Sequence, residues 1–366
     1  MSDQQEQKRE DELIASLKQY WENKPGLVMR GDWDYSRSPL RVRVHDENIK
    51  GNFTADMLDI EDLVKETEKA CKMYPHINRD IFEFVEVDEV IPWMEAIVGC
   101  HIYALGRGAS MVANPADVAA EDLPGHLSRL LDNLEGNVWY RKLRDGYRGL
   151  NELFGDKYPR CQTLMRGPGD MTGALLGHEK FIGMMLEPER KGLLHKILDL
   201  CSKVYIETAK MQLDNGGKFR GGHCNPFGIW APDYNVRSQE DEASLVSPKM
   251  YDEFFLPYHI QEVAGYRYST FHMHSGYVMK TYNWREFIKQ GNVGSFEVAM
   301  DPNGPTAEEL LPSLLEMNCS KPIVIDSCTA EQIEVIEEHI TEFPGSVLHR
   351  DLDIATFSFK ERQSKN

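Results

Sequence analysis

The sequence predicts an α/β protein, a single TIM-type (β/α)8 barrel with an N-terminal helical extension, and three observations lead there. Strand-like and helix-like stretches alternate along most of the 366 residues, which implies a mainly parallel sheet joined by helical crossovers. No composition break, internal repeat or low-complexity linker divides the chain, and one barrel commonly takes about 250 residues or more. The glycine phosphate fingerprint of a doubly wound sheet is missing: "GRGAS", "RGPGD" and "GGHC" lack the GxGxxG spacing between a strand and a helix. A doubly wound sheet is therefore the second choice.

The elements follow in order. Leu13, Ile14, Leu17 and Tyr20 fall at helical spacing, so residues 1–25 read as a capping helix after a frayed start. A loop containing "NKPG" and the tract "MRGDWDYSRSPLRVRVH" come next. The alternation then predicts helix over 59–74, strand over 81–92, helix over 122–155, strand over 160–170 and helix over 190–216. Further strands are expected over 217–224, 268–276, 293–301, 321–327 and 345–353, with helices over 247–263, 282–290, 306–318 and 329–342. The barrel thus runs from 26 to 358, and 359–366 is a polar tail. Strand ends at "RGPGD", "GGHCNPFG", "HMHSG", "EVAMDPNG" and "IDSC" are expected to converge on one mouth, because barrel chemistry sits at the carboxyl ends of the strands.

Composition narrows the function classes. The 41% hydrophobic content includes no run near the ~20 apolar residues of a membrane span, and the first twenty residues are charged where a signal peptide would be apolar. The expectation is a soluble, cytoplasmic protein with no membrane partner. Seven scattered cysteines without a CxxC pair argue against a disulfide framework and a zinc finger. A net charge of −18 opposes nucleic-acid binding, which needs clustered Lys and Arg; it reads as solvated acidic helix faces such as "DIEDLVKETEKA" or as a surface for a basic partner protein. The assembly state is open, a homodimer included.

The stretch "FHMHSG" sets His272 and His274 two residues apart in an apolar run closed by Ser and Gly. On a strand both imidazoles face one side and Met273 the other. That geometry suits a shared metal ligand, an acid/base pair, or two polar groups at a strand end.

Several stretches, in order, resemble the uroporphyrinogen decarboxylase superfamily, which includes methyltransferases acting on corrinoid proteins. They are "IPWMEAIVGCHI", "YPRCQTLMRGPGDMTGALLGHEKFIGMMLEPE", "SQEDEASLVSPKMYDEFFLPY" and "TFHMHSG", and the resemblance covers roughly residues 85 to 355. "LVSPKMYDEFFLPY" is the most specific of these and "HMHSG" comes next. The resemblance implies a TIM-type barrel with its active site in the mouth. Decarboxylase members bind a porphyrinogen without a cofactor, and corrinoid-linked members use zinc to activate a methyl acceptor. The zinc branch has His-x-Cys-Gly where this chain has His272-Met273-His274-Ser275-Gly276, and the arginine-rich segment of the decarboxylases has its nearest match in "MRGDWDYSR", with Arg30.

Zinc accepts imidazole as readily as thiolate, so His274 can stand for the cysteine, and a catalytic zinc needs a third protein ligand. Cys328 and Glu297 are the candidates, each expected just beyond a neighbouring strand. Another divalent metal is the alternative to zinc. Arg166 follows an apolar strand and reads as a mouth residue or a surface ion pair. Asp241 and Gln239, in "RSQEDEAS", read as polar substrate contacts or as a helix start favoured by the helix dipole. His223 is a candidate site residue, with Cys224 on the opposite face as a core thiol. Trp230 and Tyr234 read as pocket lining or core.

The leading expectation is methyl transfer between a corrinoid, carried by a partner protein, and a small acceptor, with metal assistance. One alternative is a metal-independent decarboxylase or lyase acting on a carboxylated, tetrapyrrole-like small molecule. The other is a barrel that binds a corrinoid or tetrapyrrole without catalysis, since fold does not fix function.

Overall fold

The computed structural model describes residues 3–33, 49–72, 77–87, 90–106, 111–278, 280–290 and 293–352. The polar tail expected over 359–366 lies outside these residues. Six parallel strands form the main sheet: β1 (Val28–Trp33), β2 (Asn235–Ser238), β3 (Tyr268–His274), β4 (Ser295–Ala299), β5 (Ile323–Cys328) and β6 (Val347–Leu352). Their spatial order is β1-β6-β5-β4-β3-β2, each pair parallel. From β2 to β6 every strand thus pairs with the next in sequence, and β6 returns to β1. Helices fill most of the connections, so the protein is α/β.

The strands read as near-continuous apolar runs because helices cover their outer faces. β3 and β4 carry Phe271, Met273, Phe296 and Val298, all with no exposed surface. The crossovers start where the caps are. Thr306 and Thr329 each form a reciprocal capping box, with Glu309 and Gln332, opening the helices Ala307–Asn318 and Ala330–Glu338.

Several boundaries differ from the expected ones. The helix expected over 122–155 breaks at Asn133 and Asn137, whose side chains accept from backbone N–H groups and restart the chain as Leu134–Gly136 and Val138–Phe154. The 247–263 helix divides at Phe255 into Pro248–Phe254 and Leu256–Val263, because Pro257 lacks an N–H and suits a helix start. The strand expected over 160–170 makes one isolated parallel bridge, Val85 to Arg160, and its end enters the helix Pro168–Leu176. The strand expected over 217–224 is reduced to His223–Cys224, paired antiparallel with Trp230–Ala231. An antiparallel three-stranded sheet, Lys50–Phe53, His101–Leu105 and Met111–Asn114, was not foreseen. Its strands are only four or five residues long, too short for their alternation to stand out in the sequence.

The N-terminal helix α1 (Asp3–Trp21) covers the amino ends of the strands. Leu13, Leu17 and Tyr20 are buried in one apolar cluster with Met29, Val324 and Leu348 from β1, β5 and β6. Trp21 Nε1 donates to Trp230 O at 2.9 Å, and its ring meets Tyr268 edge-on at 5.2 Å. Beyond the helix, Asn23 bridges Asn318 O and Ser346 N, at 3.0 and 2.9 Å. No helix among the described residues is long and apolar enough to cross a membrane.

Candidate functional site

At the carboxyl ends of the strands lies a cavity of about 1170 Å³. Strand alternation builds its floor. His272 and His274 both face it from β3, while Met273 turns into the core. On the neighbouring β4 the register pairs His272 with Glu297 and His274 with Ala299, and continuing the same parity by two residues reaches Asp301. Each histidine therefore meets a carboxylate. His272 Nδ1 hydrogen-bonds Glu297, and His274 Nδ1 lies 2.7 Å from Asp301 Oδ1.

With both Nδ1 atoms engaged, both Nε2 atoms turn toward each other. His274 Nε2 lies 3.4 Å from His272 Nε2 and 3.4 Å from Asp241 Oδ1. Asp241 comes from the loop after β2, held at the mouth by a reciprocal exchange with "RGPGD". The Glu240 carboxylate accepts from Gly169 N and Asp170 N at 2.7 and 2.9 Å, and Asp170 Oδ1 accepts from Asp241 N and Glu242 N at 3.0 and 2.8 Å. Gly167 N donates to Gln239 O at 2.9 Å. Glycine is needed at 167 and 169 because a Cβ at either position would collide with the Glu240 carboxylate. Gln239 Nε2 then donates to Asp241 Oδ1 at 2.9 Å.

Electrostatics follow from this packing. Hydrogen bonds to Asp241 and then to Asp301 push His274 up to about 10, against the opposing effect of burial. Burial alone would raise Asp241, but its bond with His274 and the nearby Arg166 hold it well below the usual carboxylate range. His272 is driven well below the usual imidazole value, by burial first and then by the Arg237 and His274 charges. Burial raises Glu297 to about 7. A positive charge is therefore favoured at His274, between two carboxylates. The wall as a whole carries six carboxylates (Glu86, Asp241, Asp301, Glu308, Asp326 and Glu331) against the guanidiniums of Arg166 and Arg237.

The structure brings His272, His274, Asp241, Gln239 and Arg166 to one cavity. Arg166 is half-exposed and lies 3.6 Å from the buried Glu95 carboxylate. Glu297 stands behind His272 as its hydrogen-bond partner, fully buried. Four other candidates lie elsewhere. Cys328 has no exposed surface, and its Sγ lies 3.6 Å from Ile325 O, so it is not placed as the third ligand of the histidine pair. Arg30 reaches outward from β1 to Glu337 at 2.8 Å. Trp230 belongs to the cluster under α1 and donates its Nε1–H to Phe219 O. His223 is buried against Tyr234, ring centroids 5.1 Å apart, and burial lowers its pKa.

Sequence reasoning missed Asp301, Arg237, Glu86 and Asp326 as lining residues. For the first two a signal existed: Asp301 keeps the parity of Glu297, and Arg237 keeps that of Gln239.

No protein-family model and no curated protein matches the chain. Among the described residues no group of three or more His, Cys, Asp and Glu side chains is arranged so that it could hold a metal ion. The two 3.4 Å separations around His274 Nε2 nevertheless equal a ligand–ligand edge, about 3.3–3.4 Å, of a tetrahedron with bonds of about 2.0–2.1 Å. Each histidine has its Nδ1 fixed by a carboxylate, which leaves Nε2 as the nitrogen turned to the cavity.

Proposed function

We propose that the chain is a metal-assisted methyltransferase of the uroporphyrinogen decarboxylase superfamily, moving a methyl group between a corrinoid on a partner protein and a small acceptor. The observation that carries this reading is His274 Nε2 standing 3.4 Å from both His272 Nε2 and Asp241 Oδ1, with Glu297 and Asp301 behind the two rings. Asp241 takes the place expected for Cys328 or Glu297, and zinc or another divalent ion would be held by these three residues. When bound, such an ion lowers the pKa of a coordinated acceptor so that its anion exists at neutral pH.

The chain's own residues do the rest. Glu297 and Asp301 fix the ring orientation of His272 and His274. Asp241 and Asp301 stabilise positive charge at the His274 position, whether a proton or a cation supplies it. Asp170 and Glu240 hold the Asp241 loop against the Arg166 loop, which keeps the mouth in one shape.

A closed (β/α)8 barrel belongs to the same proposal. Two segments span the interval between β1 and β2. Asp80 N donates to Arg30 O at 3.0 Å, Val85 N to Pro159 O at 2.9 Å, and Cys161 N to Val85 O at 3.1 Å. The Gln162 amide then accepts from Arg237 N and donates to Arg237 O, at 3.0 and 2.9 Å. Six strands and these two segments make eight staves, and Gln162 supplies by side chain what a backbone ladder supplies elsewhere.

The charge of the wall separates this reading from the decarboxylase one. Six carboxylates against two guanidiniums repel a polyacid such as a porphyrinogen and attract a cation. A metal-free lyase acting on a simpler acid is the second reading, favoured by the cationic His274 as a proton donor. Anaerobic incubation with methylcobalamin and a thiol acceptor tests the proposal. The expected result is a change in visible absorbance as the cobalt loses its methyl group, abolished by chelator and restored by zinc. No demethylation with thiol acceptors, in protein carrying its metal, contradicts it.

A further inference from the structure

The Arg237 guanidinium has entered so far only as a charge on the wall. The residue sits on β2, opposite Thr270 of β3, and its side chain lines the cavity. Its backbone is locked from the other side by the Gln162 amide and by a hydrogen bond from the buried Tyr205 hydroxyl to its carbonyl. The guanidinium carbon lies 5.3 Å from the centre of the Phe227 ring, and Arg350 approaches the same ring at 5.5 Å. Three guanidiniums thus stand at this end of the strands, and two are matched: Arg166 faces Glu95 at 3.6 Å and Arg350 faces Asp326 at 3.3 Å. Among the described residues no carboxylate is in ion-pair contact with Arg237, and its Nε–H has no hydrogen-bond acceptor. Glu297 and His272 feel its charge from beyond contact.

A guanidinium that is fixed at the backbone, packed on an aromatic ring and left without a carboxylate is a preorganised receptor for a planar acid group. We propose that Arg237 binds the single carboxylate of the methyl acceptor, so that the acceptor is a monoanionic small acid with its reactive end at the His272–His274 face. This deepens the methyltransferase reading and rests on it for the identity of the ligand. The surplus of carboxylates on the wall supports the count: one acid group finds one unmatched cation, and a second or third meets repulsion.

The experiment is a ligand-observed NMR titration with two pairs of probes, propionate against propionamide and 3-mercaptopropionate against 2-mercaptoethanol. Each pair is run on the wild type, Arg237→Gln and Arg237→Lys, with metal content measured in parallel. The expected result is at least tenfold tighter binding of each acid than of its neutral counterpart in the wild type, lost in Arg237→Gln and partly kept in Arg237→Lys, with metal content the same in all three. The propionate pair has no thiol, so it reads the anion site whether or not a metal is present. Failure of the metal reading appears instead as absent metal together with intact acid selectivity. Equal binding of acid and neutral probes by the wild type overturns the proposal, as does selectivity that survives Arg237→Gln.

Discussion

The two ends of the strands are built from opposite materials. At the amino ends α1 lays Leu13, Leu17 and Tyr20 onto Met29, Val324 and Leu348, and burial is nearly complete. The carboxyl ends of the same strands hold His272, His274 and Asp326 around an open volume of about 1170 Å³. The same β3 that contributes a buried Thr270 near its middle ends on two imidazoles held by carboxylates. One end is thus sealed by apolar surface that leaves water, and ionisable groups are carried at the other, where their desolvation has to be offset by partners.

This division can be broken from the sealed end first. Leu17 has no exposed surface, so Leu17→Ala is expected to cost about 2–5 kcal/mol by the transfer and cavity terms. Urea unfolding reads the loss, and the metal bound per folded chain should be unchanged, since α1 does not touch the cavity. A smaller loss is expected at the seam between the two ends. Gln162→Ala strips the hydrogen-bond partner from the Arg237 N–H and should cost about 1–3 kcal/mol. A cost near zero would show that the segment around Gln162 is not a stave beside β2. The smallest effect is expected from Trp230→Phe, which keeps the ring in the cluster under α1 and removes one hydrogen bond to Phe219 O, worth about 1 kcal/mol. Ligand affinity should not move, because Trp230 is not at the cavity.

The same contrast explains what was legible in the sequence. Period and burial are strong signals, so the parallel α/β order and the HxH face of β3 could be read directly, and α1 could be read as a cap. The helix Lys191–Gly216 was expected almost to the residue, because fourteen of its positions are buried in a long apolar stripe. The partners of the site residues are set by register between strands far apart in sequence, which no single stretch records. Cys328 and Asp326 fall on the same strand end, yet only Asp326 faces the cavity, because the pairing of β5 with β6 shifts register between Ile325 and Cys328. Trp230 and His223 misled for a related reason. Their strand end turns back as a hairpin instead of continuing into the mouth.

The most direct measurement of the central claim is the metal-to-protein ratio of protein purified without a histidine tag, for the wild type and for His272→Ala, His274→Ala, Asp241→Asn and His274→Cys. Circular dichroism should show all five folded, because the substitutions lie at the cavity end. The account predicts one divalent ion per chain in the wild type, loss of it in both alanine variants and in Asp241→Asn, and retention in His274→Cys, since thiolate is as good a zinc ligand as imidazole. A wild type without stoichiometric metal, or a ratio that is the same in all five folded proteins, would contradict it.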